Sequence, residues 1–144
     1  MRAEPPTVAA RLVLTNDPLD VRKALKQLSQ TFLMAELTPP NRSTVEIVFA
    51  EVLNNIVEHA YANCSGTIEI DIEMAENALF CRFVDSGQPM ADMSLPEGAL
   101  PFIDTADPPE GGFGWHLIRT LSHDLAYRRE GAKNVLTLRL NNDL

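Results

Sequence analysis

A carboxylate, an amide and an imidazole recur at four-residue intervals within residues 49–61, as Glu51, Asn55 and His59. A helix turns about 100° per residue, so these three side chains form one polar stripe about 80° wide. The apolar residues of the segment lie beside this stripe, which places the polar groups at the border of the buried face. A carboxylate there can act as a general base, and an amide oxygen can bind a hard cation. A solvated helix flank with a chance repeat is the alternative.

Asp85 is a second candidate for a functional residue, since it comes at the end of an apolar run and shortly before Gly87. A carboxylate in this position can accept a hydrogen bond from an N–H donor of a ligand, at the point where a strand gives way to a loop. The alternative is an ordinary turn in which an aspartate ends a strand.

Three glycines, Gly111, Gly112 and Gly114, directly precede a helix predicted over residues 115–122. Glycines let backbone N–H groups approach a phosphate closely, and the positive end of the helix dipole favours that anion. A flexible hinge has the same composition and is the alternative. The spacing matches neither a P-loop nor a dinucleotide-binding turn, both of which begin after a strand.

The helices that must position these residues follow from hydrophobic periodicity. Residues 11–15 alternate as a short strand, and Asp17 with Pro18 predicts the start of an amphipathic helix that continues to Ala35. The proline pair that follows is expected to stop this helix. A second helix, which carries the polar stripe, is expected over residues 43–62.

The second half of the chain predicts an antiparallel sheet. Residues 67–74 and 78–85 read as two adjacent strands, and residues 124–130 and 134–140 as a hairpin. Between these pairs, residues 86–114 hold half of the ten prolines and most of the seven glycines, which is typical of a lid or binding loop. Helices grouped on one face of a mainly antiparallel sheet make an α+β fold, a two-layer α/β sandwich.

The chain has 144 residues, a formal net charge of −8 and an ordinary globular composition, which indicates a single domain. Residues 1–10 are expected to be a loose lead-in to a domain over residues 11–144. No apolar run approaches the ~20 residues that span a bilayer, and no signal peptide is recognisable, so we expect a cytoplasmic protein without a membrane anchor. The acidic balance argues against direct binding to nucleic acid.

The two cysteines, Cys64 and Cys81, have no CxxC spacing. We expect both to be small buried apolar residues in a reducing compartment, not a disulfide or a zinc site.

Together, in this order and on these elements, the three segments resemble the Bergerat-fold ATP-binding domain that DNA gyrase, histidine kinases and MutL share. The helical stripe that begins at Glu51 is similar to the N-box of that superfamily, Asp85 with Gly87 to its first glycine box, and the glycines before the last helix to its second. Within the superfamily, the size, the short lid and the final hairpin are similar to the anti-sigma factor serine/threonine kinases of bacteria. The resemblance covers residues 11–140.

The resemblance implies a role for each matching residue. Asn55 would coordinate Mg²⁺ together with phosphate oxygens and water, and Glu51 would accept the proton of an attacking serine hydroxyl. Asp85 would accept a hydrogen bond from the adenine amino group of ATP, and Gly87 would allow close approach to the adenine. The remaining matches to nucleotide-binding positions are His59, Gly111, Gly112, Gly114 and Thr137, the last in a strand near the adenine.

The function that the resemblance implies is an ATP-dependent protein serine kinase that also acts as an anti-sigma factor. Its expected partners are a STAS-type anti-anti-sigma protein, as the substrate, and an alternative sigma factor, which it sequesters. The family usually forms homodimers. Arg22, near the start of the first helix, is similar to an arginine that the family uses at its partner surface, and a solvated helix charge is the alternative.

Two other hypotheses remain open at this point. One is a nucleotide-gated module that binds a partner without phosphorylating it, against which the general-base position Glu51 argues. The other is the ATPase part of a histidine kinase, against which the lack of a preceding phosphoacceptor helix argues.

Overall fold

The computed structural model of the protein describes residues 8–75, 77–96 and 113–142, and one sheet draws strands from all three ranges. In chain order its strands are β1 (Val8–Thr15), β2 (Thr67–Met74), β3 (Ala78–Asp85), β4 (His123–Glu130) and β5 (Lys133–Asn141). They lie side by side in the order β1-β2-β3-β5-β4, and each neighbouring pair is antiparallel. The α+β fold class predicted from the sequence is confirmed.

The helices of the described residues pack against one face of this sheet. They are α1 (Pro18–Ser29), α2 (Phe32–Ala35), α3 (Pro39–Asn55) and α4 (Phe113–Leu121), with a π-helical turn (Ile56–Ala60) that continues α3 and a 3₁₀ turn (Ala91–Met93) after β3. In these ranges, no helix has both the length and the apolar composition needed to cross a membrane.

The first predicted helix is in fact two helices, because the helical hydrogen bonding is interrupted at Thr31. The Thr31 hydroxyl donates to the carbonyl of Leu28 at 2.8 Å and accepts a hydrogen bond from the backbone N–H of Met34 at 3.3 Å. Threonine hydroxyls compete with the regular helical bonds in this way. The side chain therefore ends α1 at Ser29 and opens α2, which the hydrophobic period could not indicate.

The proline pair begins a helix, which corrects the prediction that it only stops one. Thr38 is the N-cap of α3, and its hydroxyl accepts from the backbone N–H of Asn41 at 3.4 Å. Proline is favourable in the first turn, because the N–H that it lacks has no helical partner there. The helix that carries the polar stripe therefore starts at Pro39, earlier than predicted.

One hydrophobic core fills the space between the helices and the sheet. The alternation predicted for β2 is confirmed, since its inward residues are Ile68, Ile70, Ile72 and Met74. Phe49 of α3 and Phe83 of β3 meet edge to face, with ring centres 5.0 Å apart and ring planes inclined by 67°. Such an aromatic pair contributes about 0.5–1.5 kcal/mol beyond its buried area. This contact packs the second half of α3 against the second half of β3, and the predicted site residues lie further along the same two elements.

The cysteines differ in environment, so the prediction that both are buried holds for one only. Cys81 in β3 is 2% exposed, and burial raises the pKa of its thiol to about 12. Cys64 is exposed, because it follows the π-helical turn on the loop that leads to β2.

Candidate functional site

The polar stripe lies at the end of α3, where the helix widens into the π-helical turn. The backbone N–H of Tyr61 donates to the carbonyl of Ile56, five residues earlier, at 3.0 Å. Such turns are rare and occur often at functional sites. Asn55 and His59 both line a cavity beside this turn.

This cavity, of about 550 Å³, lies where the end of α3, the end of β3 and the β4–β5 hairpin meet. Its volume falls within the ~300–1,000 Å³ typical of small-molecule sites. Asp85 lines it from the sheet, opposite the side chains of the helix. Its apolar lining includes Val52, Ile56, Trp115 and Leu136. Two motifs that are separate in the sequence therefore reach one cavity.

Gly114, from the glycines that precede the last helix, lies against the polar stripe of α3. A Cβ atom added to this glycine would lie 2.6 Å from Oε2 of Glu51 and 3.3 Å from Nδ2 of Asn55. The first turn of α4 can approach these side chains only because position 114 has none. Gly111 and Gly112 lie outside the described residues, and their role stays a prediction.

The amide of Asn55 has a defined orientation. Its Nδ2 donates to the backbone carbonyl of Glu51 at 2.8 Å, which leaves the side-chain oxygen as the atom for a ligand. Hard cations prefer such oxygens. The described ranges contain no group of three His, Cys, Asp or Glu side chains that could hold a metal. The side-chain oxygen of Asn55 is a donor that fits Mg²⁺, and phosphate oxygens and water would supply the other ligands of such an ion.

Asp85 is buried at the end of β3, with 5% of its surface exposed. Its Oδ1 accepts from the backbone N–H of Gly87 at 2.9 Å and from Nδ2 of Asn134 at 2.8 Å. Burial raises the pKa of Asp85, while these two hydrogen bonds and the nearby charge of Arg129 act in the opposite direction. The carboxylate is thus a buried acceptor at the cavity wall.

Asn134 and Tyr127 are site residues that the sequence reasoning missed. Both line the cavity, and Asn134 lies directly opposite Asp85 in the pairing of β3 with β5. The sequence held only an indirect indication for Asn134. This residue begins the last predicted strand, and antiparallel pairing places the start of one strand beside the end of its neighbour, where Asp85 lies. The sequence alone does not show that β3 and β5 are neighbours.

Thr137 does not line this cavity, so the structure does not bring it together with Asp85 and Asn55, and its predicted place near an adenine stays a prediction. From β5 it is Asn134 and Leu136 that reach the cavity, while Thr137 lines a shallow depression on the opposite face of the sheet. Side chains alternate between the two faces, and an error of one residue in register moves a side chain to the other face.

Gly87 packs directly against the π-helical turn, and its predicted role in the approach of adenine stays a prediction. A Cβ atom added there would lie 2.3 Å from the carbonyl oxygen of Ala60. The same oxygen accepts from the backbone N–H of Gln88 at 2.8 Å. The loop after β3 is therefore fastened directly to the π-helical turn.

Replacing Gly87 with alanine is expected to destabilise the protein by about 1–3 kcal/mol, because the new methyl group overlaps buried backbone that cannot move freely. Urea unfolding followed by the fluorescence of the buried Trp115 measures this loss. Gly131→Asn is the matched control, since nothing lies within 4 Å of a Cβ there and asparagine tolerates the positive φ of 58°. Equal stability of the two variants would contradict the packing argument.

Arg22 is exposed on α1, beside the buried Val21, and it does not line the cavity. Its predicted role at a partner surface stays a prediction.

Comparison with known proteins gives three findings. Residues 14–140 match the family model described as histidine kinase-like ATPase domain. The chain is 32% identical over 96 residues to the serine-protein kinase RsbW of Bacillus thuringiensis (strain Al Hakam), and equally similar to that of Bacillus anthracis. These alignments cover 64% of the chain and 59% of each relative, so the chain spans about three fifths of the length of those kinases.

A solved structure shows the same fold. It is the crystal structure of the RsbU and RsbW domains of Rv1364c from Mycobacterium tuberculosis, with a TM-score of 0.65 at 17% identity. The match covers 96% of the chain and 34% of that larger protein.

Proposed function

Because the chain belongs to the family of histidine kinase-like ATPase domains, we propose that it is an ATP-dependent protein serine kinase. The observation that carries the proposal is the convergence of three motifs: Asn55 and Asp85 line one cavity, and Gly114 places α4 against Glu51. The similarity to relatives named serine-protein kinases supports the choice of reaction.

The proposed reaction assigns each of these side chains a task. Asp85 accepts a hydrogen bond from the amino group of adenine and so holds the base at the sheet end of the cavity. Asn55 binds Mg²⁺ through its side-chain oxygen, and the ion would neutralise charge on the phosphate oxygens. Glu51 accepts the hydroxyl proton of the substrate serine. At the same time the serine oxygen bonds to the γ-phosphorus of ATP, and the bond from that phosphorus to the leaving ADP oxygen breaks.

The proposed protein substrate is a STAS-type anti-anti-sigma protein, and the proposed inhibited partner is an alternative sigma factor. Similarity to RsbW supports this pairing. The deciding experiment incubates the protein with Mg²⁺, γ-labelled ATP and a STAS protein encoded beside it. Transfer of label to wild-type STAS, but not to a variant whose acceptor serine is alanine, is the expected result. Nucleotide-dependent binding without transfer would instead identify a nucleotide-gated binding module.

Partner affinity is expected to differ between the ATP and ADP forms, because a ligand shifts an equilibrium only by its differential binding to the two states. The segment over residues 86–114, which the sequence predicts to be a lid, joins the base end of the cavity to α4, and its residues 97–112 lie outside the described ranges. If the segment acts as a lid, loss of the γ-phosphate changes the surface that it presents to a partner. Calorimetry with the sigma factor and the STAS protein in each nucleotide tests this. Identical partner affinities in ATP and ADP would rule out the switch.

Arg22→Ala should weaken partner binding without altering ATP affinity, and Lys26→Ala on the same exposed helix is the control.

A further inference from the structure

A network of hydrogen bonds joins the β4–β5 hairpin to the loop after β3, behind the carboxylate of Asp85. The guanidinium of Arg129 donates to the carbonyl of Gly87 at 2.7 Å, and the Tyr127 hydroxyl accepts from the backbone N–H of Met90 at 3.1 Å. Both side chains also donate to one atom at the centre of the network, Oδ1 of Asn134, at 2.6 Å from Tyr127 and 3.0 Å from Arg129.

Asn134 has a single amide orientation that satisfies this network. Its Nδ2 donates to Oδ1 of Asp85 and to the carbonyl of Gln88, both at 2.8 Å. With two donors used and two bonds accepted, the hydrogen-bonding capacity of the amide is filled. A reversed amide would set its oxygen against a carboxylate and a carbonyl, and its NH₂ group against a guanidinium. Asn134 is also buried, with 4% of its surface exposed.

The consequence for Asp85 is that its two oxygens become unequal. Oδ1 already accepts from Asn134 and from the N–H of Gly87. No described residue donates to Oδ2, and the described residues include no buried polar side-chain atom without a partner. Oδ2 must therefore be accessible, and the accessible space beside Asp85 is the cavity.

We propose that Asn134 is a specificity-determining positioning residue, which holds Asp85 so that only Oδ2 meets the nucleotide base. This inference rests on the proposed ATP-binding function. A lone acceptor with fixed direction favours a base that presents an amino group, as adenine does at C6. It disfavours a base with a carbonyl in that place, because two acceptors would then face each other in a buried site. Without Asn134 the carboxylate can rotate, and the discrimination between ATP and GTP should fall.

The experiment measures the Kd of Mg-ATP and Mg-GTP by calorimetry for wild type, Asn134→Leu and Asn134→Thr. Leucine keeps the branched shape of asparagine and removes every hydrogen bond of the amide, and should reduce the preference for ATP over GTP about tenfold or more. Threonine keeps one donor for Oδ1 and should restore part of the preference. Thr137→Val is the control, since it changes the same strand on the face away from the cavity.

A double-mutant cycle with Asp85→Asn separates positioning from general damage to the fold. If Asn134 acts through the carboxylate, Asn134→Leu will leave the ATP-to-GTP ratio unchanged in the Asp85→Asn background. An equal effect in both backgrounds, or an unchanged ratio with Asp85 intact, would overturn the inference while the ATP-binding function stands. Failure of the wild-type protein to bind Mg-ATP would overturn both.

Discussion

Glu51→Ala is expected to lower the rate of phosphoryl transfer by about 10²–10⁴-fold, the usual contribution of a general base, with little change in ATP affinity. Glu51 lies one helical turn before Asn55 and against Gly114, so its carboxylate is beside the predicted phosphate end of the cavity. Glu51 is not among the residues that line the cavity, so it would not contact the base. The two effects should therefore separate, with catalysis lost and binding kept.

Single-turnover transfer of γ-phosphate to the STAS protein measures the rate, and calorimetry measures ATP binding in the same samples. Glu46→Ala provides the control, because Glu46 is an exposed glutamate on the same helix. Glu51→Gln keeps the shape of the side chain and removes its basicity, so it should be as slow as the alanine variant. Transfer within a factor of three of wild type in the glutamine variant would place the base elsewhere.

Asn55→Ala is expected to abolish ATP binding at micromolar nucleotide, even with excess Mg²⁺. The amide nitrogen of Asn55 is held by the carbonyl of Glu51, so the substitution removes an oxygen whose direction is already set. Loss of the metal ligand then leaves the triphosphate charge uncompensated next to Glu51.

Calorimetry with Mg-ATP, and with ATP in the presence of EDTA, gives the measurement. Asn54→Ala is a closely matched control, because the neighbouring asparagine is exposed and does not line the cavity. Wild type without Mg²⁺ should resemble Asn55→Ala with it, whereas Asn54→Ala should bind as wild type does. An undiminished affinity of Asn55→Ala for Mg-ATP would remove Asn55 from the metal site.

Local patterns in the sequence were sufficient for most of the secondary structure. The alternation in β2 and β3 reflects a two-residue period that each strand displays by itself, and the sheet confirms both strands. The errors lie at the ends of elements. Strand β1 begins at Val8, within the stretch predicted to be a loose lead-in, and two helix ends are decided by a single side chain each. Thr31 divides the first helix and Thr38 starts α3, and neither hydroxyl alters the hydrophobic period.

The relation between Glu51 and Asn55 was determined by the sequence alone, because residues four apart on one helix share a face whatever surrounds them. The order of the three motifs likewise identified the superfamily, which the family comparison supports. Thr137 marks the limit of this reasoning, since the face of a strand residue depends on a register that one strand does not fix.

Tertiary structure alone decided the environment of Asp85. Its partner Asn134 is far away in the chain, and it lies opposite Asp85 only because β5, and not β4, pairs with β3. The contact of Gly87 with Ala60, which leaves no room for a side chain, likewise exists only because the shared core packs the helix against β3. Spacing along the chain fixes which side chains share one helix or strand. Which elements become neighbours is decided by burial of the whole core, and so are the hydrogen bonds between them.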